Sequence, residues 1–203
     1  VTTTQSLPHV VGLDLSITAS AFAWPDGETQ VTGEAGLTSP RLPHLSRAER
    51  LRELAERLDN KTRERRTEWD GWAPALVAIE GLPTSGTRVD AERCYLWFET
   101  VRLIGGYGTP LVVVPPTTVK LYAYGNGSAN KREVIASVQR DLPQFQINKT
   151  GKRGNVLASL DDNRADAAVL CTIACHLVGS PLVEVTPFRE RALEALVLPE
   201  GMR

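Results

Sequence analysis

What this chain has little of already narrows its possible roles. It carries three cysteines among 203 residues, Cys94, Cys171 and Cys175, an odd set in which the last two sit four apart within a strongly apolar run. Such a set cannot staple a small disulfide scaffold, and it reads as reduced core thiols. A zinc site would need more ligands at metal spacing, and only His176 stands nearby. No apolar run reaches the length of a membrane span, and residues 1–8 read as a short polar tail rather than a signal peptide, so a cytoplasmic protein is expected. There is no internal repeat, no low-complexity tract and no interdomain linker. With 42% hydrophobic residues, one domain across 1–203 is expected, its core over about 10–178 and a C-terminal extension over about 179–203.

A charge excess is also missing. The formal net charge of −1 gives no global attraction for a phosphate backbone, so any argument for a nucleic-acid partner must rest on distribution. Between Lys120 and Arg164 there are eight Lys or Arg against four Asp or Glu, and two of those acids are Asp161 and Asp162. If acids there serve a site, the surrounding surface is basic.

The hydrophobic pattern predicts the elements. Residues 10–17 alternate, with Val11, Leu13, Leu15 and Ile17 on one side and Gly12, Asp14 and Ser16 on the other, which is strand periodicity. Residues 21–24 and about 30–33, joined by Pro25-Asp26-Gly27, complete an antiparallel meander. Ser46-x-x-Glu49 reads as a capping box ahead of a helix with Leu51, Leu54 and Leu58 inward. A strand over 75–80, a helix over 91–104 and a buried strand over 111–114 follow. Asn130-x-x-Glu133 opens another helix, residues 143–159 read as a mobile loop without periodicity, and helices are expected over about 162–178 and 187–197. Three antiparallel strands, then parallel strands with helices on both faces of a mixed sheet, describe an α/β protein of ribonuclease H-like architecture.

Four acids stand out against this pattern. Asp14 lies mid-strand among apolar neighbours, where an ionised carboxylate needs a positive partner, either a metal ion or an ordinary ion pair. Glu80 ends its strand just before Gly81, at the carboxyl edge where open sheets place ligand-binding groups. Asp166 is surrounded by Ala165, Ala167 and Ala168 on a helix that otherwise packs on the sheet, and Asp162 projects one turn earlier from the same helical face. Asp161-Asp162-Asn163 also suits a helix N-terminus, which accounts for one of those three residues and leaves Asp166 unexplained. Converging, the four would form an all-oxygen site suited to Mg²⁺ or Mn²⁺. Two such ions about 4 Å apart can align a water for in-line attack on a phosphodiester.

Gly12-Leu13-Asp14-Leu15-Ser16, Ile79-Glu80, Val119-Lys120, Gly125-Asn126-Gly127-Ser128-Ala129-Asn130-Lys131 and Asp166-Ala167-Ala168 occur in the order and rough spacing of one family. Over about residues 10–178 the chain resembles the RuvC-type Holliday-junction resolvases. The resemblance implies a homodimeric endonuclease that cuts branched DNA, above all four-way junctions, into paired nicks bearing 5′-phosphates. It carries the catalytic and metal-holding acids onto Asp14, Glu80, Asp162 and Asp166, with Mg²⁺ as cofactor, Mn²⁺ as substitute and two ions per site. It carries the family's basic residues onto Lys120 and Lys131, Lys131 also as a catalytic group; Arg132, Lys149, Lys152 and Arg153 are further candidates for DNA contact.

The sequence departs from the family in two places. The family's third and fourth acids usually lie three residues apart, and here Asn163 holds that position with Asp162 one residue earlier. The family also tends to carry an aromatic wedge shortly after the second acid, where this chain has Leu82-Pro83, which leaves flaps or RNA–DNA hybrids open as alternative substrates. A dimer interface is expected on the 91–104 helix, because Tyr95, Trp97 and Phe98 cannot all face one core. Two rivals lie outside nucleases: a non-catalytic scaffold for branched DNA, and an actin-like or sugar-kinase ATPase. The ATPase would need a duplicated domain and a phosphate-cradling glycine loop; neither is present, so no nucleotide cofactor is expected.

Overall fold

The computed structural model describes residues 7–34, 43–64, 73–82, 90–150 and 156–200. Strands β1 (Val10–Asp14), β2 (Ser20–Ala23) and β3 (Thr29–Thr32) form the antiparallel meander. Strands β4 (Leu76–Glu80) and β5 (Leu111–Val114) then add in parallel beside β1, giving the order β3-β2-β1-β4-β5. Helices α1 (His44–Thr62) and α2 (Ala91–Gly106) cover one face, packing on Val11, Leu13, Val77 and Ile79. Helices α3 (Pro116–Tyr124), α4 (Lys131–Asp141), α5 (Asp162–Leu177) and α6 (Pro187–Glu194) build the other, over Val10, Leu76, Ala78, Val112 and Val114. With both faces covered, β1 and β4 are buried except at Glu80, as strands between helical layers must be.

The residue that brings α5 onto the sheet is Gly12. A Cβ there would lie under 3.0 Å from the Ala167 carbonyl oxygen and from the Cys171 backbone nitrogen and Cα. Only hydrogen fits in that space, and the alanines at 165, 167 and 168 keep the facing helix equally slim. Gly12 and Asp14 share one face of β1 by strand alternation, so the glycine that admits α5 also sets how near Asp166 comes to Asp14. Arg164 fastens the same helix to the meander, donating to the Thr29 carbonyl oxygen at 2.7 Å and to Thr29 Oγ1 at 2.8 Å. Cys171 and Cys175 are buried and unoxidised within this layer.

Several expectations are corrected. Helix α1 starts at His44 behind Pro43, with no side-chain cap, so Ser46 and Glu49 lie inside the helix and the expected capping box is not made. The fixed φ of Pro43 (−56°) sets the N-cap three residues ahead of Ser46. The helix α3 was not foreseen, although Pro116 in its first turn follows a known preference. Residues 143–159 are not a structureless loop: β6 (Asn148–Thr150) pairs antiparallel with β7 (Val156–Leu160) in a separate two-stranded sheet. Three residues of β6 cannot show a period of two, and successive residues Leu157, Ala158 and Ser159 of β7 are all exposed, so neither face carries an apolar alternation. Strand β1 also ends at Asp14, and Ser16 and Ser20 close the turn that follows, Ser16 N–H donating to Ser20 Oγ at 3.0 Å. Among the described residues no helix is long and apolar enough to cross a membrane.

Candidate active site

Parallel pairing of β1 with β4 matches Leu13 to Ile79, so the next residues, Asp14 and Glu80, emerge side by side at the carboxyl edge. Both point toward the α5 layer, where Asp166 sits one helical turn beyond Asp162. Asp14, Glu80 and Asp166 line one cleft of about 640 Å³, which Ser16, Thr18, Asp90, Arg93, Lys120, Lys131 and Asn163 also border. Glu80 is fixed from behind as well: the Trp97 indole on α2 donates to its backbone carbonyl oxygen at 2.8 Å.

Burial raises the proton affinity of all three acids, and Glu80 adds to the rise at both Asp14 and Asp166. Asp14 is only 5% exposed, and burial, then repulsion from Glu80 and Asp166, holds its carboxyl well above the ordinary range. Asp14 and Glu80 share a side-chain hydrogen bond, the arrangement two neighbouring carboxyls adopt when one keeps its proton. Burial raises Glu80 too, opposed by Arg93 first, then by its bond to Asp14 and by Lys120 and Lys131. Asp166 is pushed up to about 7, again by burial first and then by Glu80 and Asp162. A cluster of this kind stores repulsion that a cation relieves.

Asp162 behaves differently. It is tied by an ion pair to Lys131, the first residue of α4, and that bond holds its carboxyl below the usual range. It does not border the cleft, whereas Asn163 does; the Asn163 amide, however, donates to the Ala19 carbonyl oxygen at 2.9 Å. Asp161 serves as the N-cap of α5, its carboxylate accepting from Arg164 N–H.

The cations come from three helices. Lys120 lies on α3 and Lys131 at the start of α4, and the glycine-rich segment between them is a helix connector. Gly125 closes α3 at φ 82°, and Asn130 opens α4 with a full capping box, its side chain accepting from Arg132 and Glu133 N–H. The connector's part here is to aim Lys131 at the cleft. Arg132 is exposed on the same turn, and Lys149 is exposed on β6 near enough to favour ionised Asp162. Lys152, Arg153 and Pro83 lie outside the described residues. Arg93 on α2 was missed in the sequence. The available signal was a cation in the first turn of a helix, where the dipole disfavours it.

No protein-family model matches the chain, and no curated protein matches it in sequence. Solved structures do. The Thermus thermophilus RuvC structure is similar over 84% of this chain and 96% of that one, at 21% identity and a TM-score of 0.52. T. thermophilus RuvC in complex with Holliday junction substrate is similar over 80% and 89%, again at 21% identity and 0.52. The chain has the RuvC fold. Its mixed five-stranded sheet is the ribonuclease H-like sheet expected from the strand pattern.

On this RuvC fold, the acids fit a hard divalent cation by chemistry and charge. Every donor at the cluster is a carboxyl oxygen, and the mutual repulsion of Asp14, Glu80 and Asp166 is what such an ion would neutralise. Among the described residues no three potential ligands are drawn together tightly enough to form a closed metal cage. The site is an open row of acids along a cleft.

Proposed function

We propose that this chain is a divalent-metal-dependent endonuclease that resolves four-way DNA junctions into paired nicks with 5′-phosphate ends. The observation that carries the reading is the row of three repelling acids, Asp14, Glu80 and Asp166, in a cleft whose walls supply Arg93, Lys120 and Lys131. A site for a small anion would not gather acids, and a structural ion-pair network would not bury Asp14 beside Glu80 and Asp166. The T. thermophilus RuvC with the same fold was solved with a Holliday junction, which favours branched DNA as the substrate.

In this reading Asp14, Glu80 and Asp166 hold Mg²⁺, or Mn²⁺ in its place, with Asp162 as the fourth acid and two ions per site. The bound ions supply Lewis acidity for in-line displacement at phosphorus. The chain's own groups do the rest. Lys120 and Lys131 meet the charge that builds on the phosphate oxygens in a partly desolvated cleft. The pair with Asp162 keeps Lys131 extended toward the cleft until a phosphate competes for it. Arg132, Lys149, Lys152 and Arg153 hold the flanking backbone, fixing register without reading sequence. No nucleotide cofactor takes part, and each chain contributes one nuclease domain.

The active form is a homodimer joined through α2. Leu96, Thr100 and Ile104 turn that helix inward, while Tyr95 and Phe98 are left 41% and 62% exposed. An isologous contact would bury this aromatic face and set two clefts for symmetric cuts. No aromatic side chain follows Glu80 at Gly81 or Leu82, so a related activity on flaps or RNA–DNA hybrids is the second reading. A panel of end-labelled substrates separates the two: mobile four-way junction, flap, hybrid and linear duplex, each with Mg²⁺, Mn²⁺ or EDTA. Preference for the junction supports the proposal. Preferential cutting of flap or hybrid discards the junction and keeps the acids, and binding without cutting in either metal leaves only a scaffold.

A further inference from the structure

The two lysines were expected in the cleft, but a third cation stands there from the opposite side. Lys120 and Lys131 belong to α3 and α4, in the helical layer over one face of the sheet, whereas Arg93 belongs to α2 over the other. The acids at the strand ends therefore lie between two positive walls. Of the cations that oppose burial at Glu80, Arg93 acts most strongly, ahead of both lysines, and it also opposes burial at Asp14.

Two observations make a purely structural role unsatisfying. Arg93 occupies the first turn of α2, next to the N-cap Asp90, where the helix dipole disfavours positive charge. An ion pair with Asp14 or Glu80 would compensate, yet among the described residues no hydrogen bond or ion pair joins Arg93 to either acid. Its guanidinium faces the acid row with its fork of donors unspent on them. Such a fork matches two oxygens of a phosphate, which a lysine cannot do.

We propose that Arg93 is a catalytic residue that grips non-bridging oxygens of the phosphate lying over the acid row, opposite Lys120 and Lys131. This rests on the nuclease reading. A phosphodiester held from both sides cannot slide along the cleft, and the charge gained in displacement is met by fixed donors on either flank.

The test uses Arg93→Gln and Arg93→Lys with three readouts: Mn²⁺ affinity of the free protein by calorimetry, junction affinity in Ca²⁺, and single-turnover cleavage at saturating Mg²⁺. Arg93→Gln is expected to slow cleavage about 10²-fold while junction affinity stays within about threefold. Its Mn²⁺ affinity should hold or rise, because a cation facing the acids has been removed. Arg93→Lys, which keeps the charge and loses the fork, should recover only part of the rate. Cleavage by Arg93→Gln within threefold of wild type would overturn the inference. So would a loss of cleavage that tracks a loss of Mn²⁺ affinity, since Arg93 would then merely support the acids. A wild-type protein that cuts no branched DNA overturns the nuclease reading itself, and the inference falls with it.

Discussion

Replacing Asp166 by asparagine should make the metal-free protein more stable at pH 8 and leave it unchanged near pH 4. In the unfolded chain Asp166 ionises near 3.8, and in the fold its carboxyl is pushed up to about 7 by burial and by Glu80 and Asp162. Between those values the native state holds a proton that the unfolded chain has released. Stability therefore declines as pH rises through this window, and the whole penalty is present above about 7. The interval corresponds to about 4 kcal/mol at full ionisation. Asp14 and Glu80 readjust when one charge disappears, so about half, roughly 2 kcal/mol, is expected from Asp166→Asn. For a chain of this length that raises Tm by about 4–8 °C. Thermal melts by circular dichroism in EDTA, at pH 4 and pH 8, measure it directly. A gain of equal size at both pH values, or none at pH 8, would refute the picture of an acid row held together against its own charge. Added Mg²⁺ should stabilise wild type at pH 8, by about 2.7 kcal/mol at a hundred times its Kd, and stabilise the variant less.

Four further outcomes follow from the same geometry. Mn²⁺ and the Asp166 proton compete, so affinity measured by calorimetry should weaken up to tenfold per pH unit as pH falls below about 7; a flat profile from pH 5 to 8 would contradict this. Lys131→Ala should slow junction cleavage about 10²-fold while shifting stability by less than about 1 kcal/mol, because its pair with Asp162 is solvent-exposed, and chemical denaturation checks the second half. Gly12→Ala should cost about 3 kcal/mol or more, or prevent folding, since its Cβ meets α5 backbone that cannot yield; a melt within 2 °C of wild type would refute the close approach. Phe98→Glu should give a monomeric mass in light scattering if α2 forms the dimer, with the far-UV spectrum unchanged.

Much of the fold was legible because its elements obey simple periods. The alternation through Val11 and Leu13 marked β1, and the Val-rich strand was bounded by Pro115 and Pro116 to the residue. The caps gave more mixed guidance. Asn130 and Glu133 form the box their spacing suggests, while Ser46 and Glu49 do not, because Pro43 starts α1 ahead of them. The hairpin of β6 and β7 left no periodic trace, since three residues of one strand cannot show one. At the cleft, Asp14 and Asp166 stand out in the sequence as acids among apolar neighbours and Glu80 as the acid that ends a strand, and the structure brings these three to one cleft. Which of Asp162 and Asn163 turns to the cleft was not readable, because it depends on whether Lys131 and the Ala19 carbonyl reach them across 31 and 144 residues of chain. Arg93 escaped notice for the same reason: its significance lies in a helix packed on the far face of the sheet, not in its sequence neighbours.

In the proposed reading the acid row cuts branched DNA with a divalent metal. The most direct test of that reading is single-turnover cleavage of an end-labelled mobile junction at pH 8 by wild type and Asp14→Asn, in Mg²⁺ and in EDTA, with nick positions mapped and ligase added afterwards. Symmetric, ligatable nicks are expected from wild type in Mg²⁺ alone, with a loss of at least about 10³-fold for Asp14→Asn. Nicks that persist in EDTA, or an Asp14→Asn protein that cuts as well as wild type, would contradict the reading.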